Sequence, residues 1–144
     1  MEERFILFTV AGVGFAFNLR EVSEVMDPQA SYPIPGAPPH FVGMMNFHGV
    51  LTALADLGSY LGLAGRRPPG NVLVLDARRA QLALGVEAVR AIVPAEAILA
   101  KTLSEEPLVD SLISTQYGDF RLLRLDTLLF SLEQGLASLQ KTKA

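Results

Sequence analysis

One apolar pattern occurs twice in this chain, and the repetition limits its architecture more than any single motif does. A shift of about 67 positions lays Phe5, Ile6, Leu7 and Phe8 on Val72, Leu73, Val74 and Leu75, then Phe15, Phe17 and Leu19 on Leu82, Leu84 and Val86. Val22 meets Val89 and Val25 meets Ile92. Farther on, a shift of about 70 lays Asn46-Phe47-His48-Gly49 on Gln116-Tyr117-Gly118-Asp119, Val50 on Phe120, Ala53 on Leu123 and Asp56 on Asp126. Few residues are identical; what repeats is apolar spacing, turns and helix starts. Solenoid units run about 20 to 50 residues, so a period near 70 indicates two copies of a larger, half-domain unit. The expected halves are approximately 1–64 and 71–144, joined by a linker near 65–70 that is rich in Gly, Pro and Arg.

A unit of about 70 residues buries too little apolar surface to stand alone, so the halves are expected to share a core within one domain. The chain has 144 residues, 50% of them hydrophobic, which supplies such a core. It has no Cys, which excludes disulfides, thiolate metal sites and thiol nucleophiles, and only two His, His40 and His48. A net charge of -3 runs against binding to a phosphate backbone. The pairs Arg66-Arg67 and Arg78-Arg79 lie among turn residues and are read as solvated loop charges. No nucleic-acid partner, metal or cofactor is expected.

Residues 29–55 contain no Asp, Glu, Lys or Arg, yet Pro33, Pro35, Pro38 and Pro39 rule out a membrane-spanning helix there. Residues 5–17 follow Glu2 and Glu3 instead of a cationic segment, and their counterpart at 72–86 is internal, so they are not read as a secretory leader.

Phe5 to Val10 and Gly14 to Asn18 are rich in aromatic and β-branched residues around Ala11-Gly12-Val13, a hairpin with both faces apolar. From Leu19 the apolar spacing becomes three, through Val22 and Val25, which predicts a short amphipathic helix ended by Asp27-Pro28. Tyr32 to Pro39 predicts an extended connector without a ladder of its own. A second hairpin, 41–45 and 50–55, turns at Asn46 to Gly49 in the manner of a type I turn. Asp56 then caps a helix over Leu57 to Leu63. The second half predicts strands near 72–76, 81–86, 110–116 and 120–125, a three-period segment over 86–93, and an Asp126 cap on a helix from Thr127 to about Leu139. About ten short strands hide their edges by curling up, so two side-by-side barrels and a C-terminal helix are expected.

Catalytic constellations are not evident. Ser31 and His40 lack a nucleophile elbow and a third orienting group. Glu105 and Glu106 sit in a polar loop before Pro107, without the apolar surroundings that tune an acid catalyst. Gly12-Val13-Gly14 joins two strands and opens no helix, unlike a phosphate loop. What remains is an aromatic turn tip, Phe47-His48, divided evenly between folding back on its own barrel and serving an interface, and apolar segments that could wall a groove for a partner helix.

At Ile34-Pro35-Gly36-Ala37-Pro38, Phe41-Val42-Gly43, Asn46-Phe47-His48-Gly49 and Ala55-Asp56-Leu57 the chain resembles the CheW family of chemotaxis coupling proteins, in a register that holds over nearly its whole length. The resemblance implies a mainly β fold of two small SH3-like barrels with short helices and a C-terminal helix, and no catalysis. It implies a cytoplasmic adaptor in membrane receptor arrays, binding the cytoplasmic helices of chemoreceptors and the regulatory domain of a histidine kinase. By position, receptor contact is expected at Val22, Glu24, Val25 and Gly43, and kinase contact at Asn46, Phe47, His48 and Gly49. The family usually places Arg where this chain has His48, a loss of permanent charge and of a five-donor fork. Two other readings stand beside the adaptor: an inhibitory or ligand-sensing barrel of a non-flagellar pathway, and a hydrolase using His48 with a nearby carboxylate.

Overall fold

The computed structural model describes residues 2–65 and 67–133. Its strands are β1 (Arg4–Val10), β2 (Val13–Asn18), β3 (Val22–Met26), β4 (Phe41–Phe47), β5 (Val50–Asp56), β6 (Asn71–Leu75), β7 (Leu82–Val86), β8 (Ala88–Pro94), β9 (Ala100–Leu103), β10 (Val109–Thr115) and β11 (Gly118–Leu123). A short helix α1 (Leu57–Tyr60) follows β5, and a second helix, α2, covers 125–133. The expected continuation of α2 toward Leu139 lies outside the described residues.

The strands form two sheets, ordered β8-β1-β2-β11-β10-β9 and β3-β6-β7-β5-β4. The fold is mainly β, as expected, but the sheets do not coincide with the halves 1–64 and 71–144. The β1–β2 hairpin takes its neighbours β8 and β11 from the second half, while β6–β7 takes β3 and β5 from the first. Each half gives its hairpin to one sheet and its remaining strands to the other.

This exchange explains why both faces of the hairpins are apolar. Phe5 and Leu7 of β1 point into the first sheet's core with Val93, Ile113, Phe120 and Leu122, while Ile6, Phe8 and Val10 face the layer between the sheets. On β6, Val72 and Val74 point into the second sheet's core with Met45, Leu54 and Ala83, and Leu73 and Leu75 join the shared layer. Phe8 stacks on Phe17 at 5.5 Å between ring centroids and is completely buried. Leu128 and Leu132 of α2 close the same layer.

Two segments with three-residue spacing are strands instead of helices. Leu19–Glu21 is a single 3-10 turn capped by Asn18, whose Oδ1 accepts a bond from the Arg20 amide at 3.1 Å, and the chain then enters β3. Within β3, Val22 pairs with Leu75 and Glu24 with Val74, so Ser23 is an extra, bulged residue. A bulge breaks strict alternation, and apolar residues three apart then read as a helix period. The 86–93 segment hides β8 in the same way, with Arg90 bulged between Val89 and Ala91 opposite Phe8 and Leu7. Helix α1 is also shorter than expected. Leu63 donates to Gly58 O at 3.0 Å and Gly62 to Ser59 O at 3.1 Å, with Gly62 at φ 73°, a Schellman stop.

Asp56 caps α1 as expected, accepting from the Ser59 amide at 3.1 Å. Asp126 does not cap α2. The ladders place Val109–Leu123 where Phe41–Ala55 lies in the first half, with Asp110 bulged as Val42 is, so Arg124 is the counterpart of Asp56. Asp126 lies inside the first turn and pairs with Arg79 at 3.0 Å. Arg79 also reaches Glu21 at 3.4 Å, and Arg78 pairs with Asp76 at 2.8 Å, so these two arginines are engaged with carboxylates.

Candidate functional site

The most distinctive exposed region lies where the turn after β4 reaches β3, the strands at the two ends of the second sheet. The tight turn joining β4 to β5 is built on His48 and Gly49, with Phe47 opposite Val50. Both central residues have positive φ, 50° and 85°, as a two-residue type I′ hairpin requires, in place of the expected type I turn. Asn46 Oδ1 accepts from the Gly49 amide at 2.7 Å and holds the turn. An imidazole tolerates this left-handed backbone better than most side chains.

His48 reaches across to β3. Its Nε2 lies 3.2 Å from Glu24 Oε1, with side-chain exposures of 69% and 40%. Glu24, expected to meet a receptor, and His48, expected to meet a kinase, thus share one surface. The Ser23 bulge fixes which way Glu24 faces. Exposure leaves the pair suited to docking; acid-base chemistry gains its force from a water-excluded setting.

Not every expected contact residue presents a side chain. Val22 is only 9% exposed and belongs to the layer between the sheets. Gly43 is buried: a Cβ there would collide with the Tyr32 carbonyl. Tyr32 and Met44 exchange backbone bonds of 2.9 and 2.8 Å, so the connector, expected to lack pairing, makes one antiparallel bridge here. Val25 is exposed. Phe47 is half-buried against Met45, Leu54, Val72, Val74 and Ala83, with its ring 4.5 Å from that of His48, so the turn does fold back on its own barrel while His48 stays outside.

Two exposed apolar residues beside this site were not legible as contact residues: Val50 (44%) and Leu51 (66%). Val50 and Leu51 looked like ordinary strand residues. The available signal was two adjacent apolar residues at a hairpin end, where strict alternation would expose one of them.

A polar cleft lined by Asn18, Arg20, Glu21, Asp76, Arg78 and Arg79 lies where the Leu19–Glu21 turn meets the turn after β6. Burial pushes the Glu21 carboxyl above its ordinary range despite its bond to Arg79, whereas bonds from Arg78 hold Asp76 down at about 2. Arg78 and Arg79 are thus paired with Asp76 and Glu21, while Arg20 donates through Nε to Asn18 Oδ1. Among the described residues no cluster of three or more His, Asp or Glu could hold a metal, and no helix is long and apolar enough to cross a membrane.

Comparison with known proteins agrees with this architecture. The fold matches the crystal structure of the scaffolding protein TtCheW from Thermoanaerobacter tengcongensis with a TM-score of 0.72, at 18% identity, covering 86% of this chain and 90% of that one. A stretch of 61 residues, 42% of this chain, is 33% identical to the chemotaxis protein CheW of Bacillus subtilis strain 168, spanning 39% of that relative's length. The model of the CheW-like domain matches residues 4–125. Two SH3-like barrels that exchange strands, followed by a C-terminal helix, and a family match over most of the chain lead to one assignment: this protein belongs to the CheW-like domain family.

Proposed function

We propose that this protein is a non-enzymatic adaptor of a chemotaxis-type signalling system, working in the cytoplasm at membrane receptor arrays and joining receptor helices to the regulatory domain of a histidine kinase. The observation that carries this reading is the contact of Glu24 with His48, from segments far apart in sequence, on an exposed surface beside Val50 and Leu51. Such a surface offers apolar area ringed by a polar pair, the composition of a protein-docking patch. Weak contacts on two partners suffice, since linked sites raise effective concentration without new chemistry.

The test is reconstitution with a receptor tip and a kinase regulatory domain. Wild-type protein is expected to recruit the kinase to the receptor. Val25→Asp and His48→Asn, both at exposed side chains and the second keeping a residue that tolerates positive φ, are expected to weaken recruitment while leaving the thermal melt intact. Val22→Asp is a poor probe because it buries a charge between the sheets. Recruitment of one partner alone would replace the adaptor with a single-partner binding module.

A further inference from the structure

The first sheet ends on β9, a strand whose four residues are all exposed and whose outer edge pairs with no other strand among the described residues. Leu103 within it is 79% exposed, and Leu99 and Leu112 beside it are 74% and 39% exposed. No proline interrupts the strand, and Lys101 is its one charge. An edge of this kind is a template for another strand.

We infer that β9 pairs with β9 of a second copy of this chain, antiparallel about a two-fold axis at Leu103. The backbone determines which groups are free. Leu103 lies opposite Ser111 and Lys101 opposite Ile113, and the Ser104 amide donates to Asp110 O at 3.1 Å. Hydrogen-bonded positions alternate along an antiparallel ladder, so Ala100, Thr102 and Ser104 bond toward β10 while the amides and carbonyls of Lys101 and Leu103 point to the open side.

Charge then selects the register. An axis at Lys101 would set two ammonium groups opposite each other. An axis at Thr102 would oppose Lys101 and Glu105 to leucines. An axis at Leu103 sets Leu103 against its copy and Lys101 against Glu105 of the second copy at both ends, and opposite charges in facing positions stabilise a strand pair. The patch is self-complementary, as a two-fold contact must be. A four-residue strand is short, so association depends on concentration.

The absence of native cysteine makes the test clean. Single variants Leu103→Cys, Lys101→Cys and, at a remote exposed position, Ala30→Cys are oxidised in the full chain at increasing concentration. Leu103→Cys is expected to form disulfide-linked dimers about tenfold faster than the other two, because proximity sets the rate. Adding Lys101→Glu to the Leu103→Cys chain is expected to remove that advantage, and further adding Glu105→Lys to restore it, with thermal melts confirming that each variant is folded. Equal rates at all three positions would overturn the inference. So would failure of the charge swap to restore dimers, or protection of the Leu103→Cys thiol from maleimide in dilute monomer, which would show the edge already covered within one chain.

Discussion

His48 and Glu24 illustrate how little an exposed contact needs to contribute to stability in order to shape a surface. Pairs this open contribute about 0–1 kcal/mol, so a double-mutant cycle on Glu24→Ala and His48→Ala is expected to show coupling within that range in denaturant unfolding. Their effect on partner binding should be larger. Gly43 behaves in the opposite way. Gly43→Ala is expected to cost on the order of 1–3 kcal/mol by forcing the Tyr32–Met44 bridge apart, seen as a lower urea midpoint. His40 adds a pH dependence. Its ring packs 5.0 Å from both Phe41 and Tyr60, and its Nε2 is buried without a hydrogen-bond partner. Burial lowers its pKa from 6.5, so below that pH the unfolded chain binds the proton more readily than the folded one. The stability tied to neutral His40 is therefore present above 6.5 and is lost as pH falls from there toward the lower folded value. His40→Phe is expected to flatten this part of the stability profile, measured as urea midpoints on either side of 6.5 against wild type.

At the scale of elements, bulges account for most of what the residue pattern concealed. Ser23 and Arg90 occupy matching places in β3 and β8, and Val42 and Asp110 in β4 and β10. These bulges match between the halves and hide strands without shifting one half against the other. The ladders lay Val109 on Phe41 and Leu123 on Ala55, a slip of two from the apolar match, which a strand of period two cannot reveal. Asp56 and Asp126 show the consequence. They coincide when the hydrophobic pattern is slid along itself, yet only Asp56 caps a helix. Asp56→Ala is expected to cost about 1 kcal/mol and Asp126→Ala at most about 0.5 kcal/mol in the same unfolding assay.

The whole molecule is held by the exchange of strands between its halves. Neither sheet can be completed from 1–64 or from 71–144 alone, since β1–β2 needs β8 and β11 while β6–β7 needs β3 and β5. Chains cut in the 65–70 linker are therefore expected to be poorly structured separately and to regain the β circular-dichroism signal when mixed. Native-like signal from either piece alone would contradict the interlocked account.

The hairpins, the Asp56 cap and the two-barrel class were legible because local spacing and turn residues carry them. The candidate surface was legible only in part. Its turn stood out as Asn46 to Gly49, but nothing local could reveal that His48 meets Glu24, that Val22 faces inward, or that Leu51 lies exposed beside the turn. By itself the sequence determined which faces of each short segment are apolar, and so that the segments must stack into two layers around a common core. Tertiary structure alone decided which strands from opposite halves pair and where the ladders bulge. Those choices rest on contacts between residues far apart in the chain, whose free energies no window of neighbouring side chains contains.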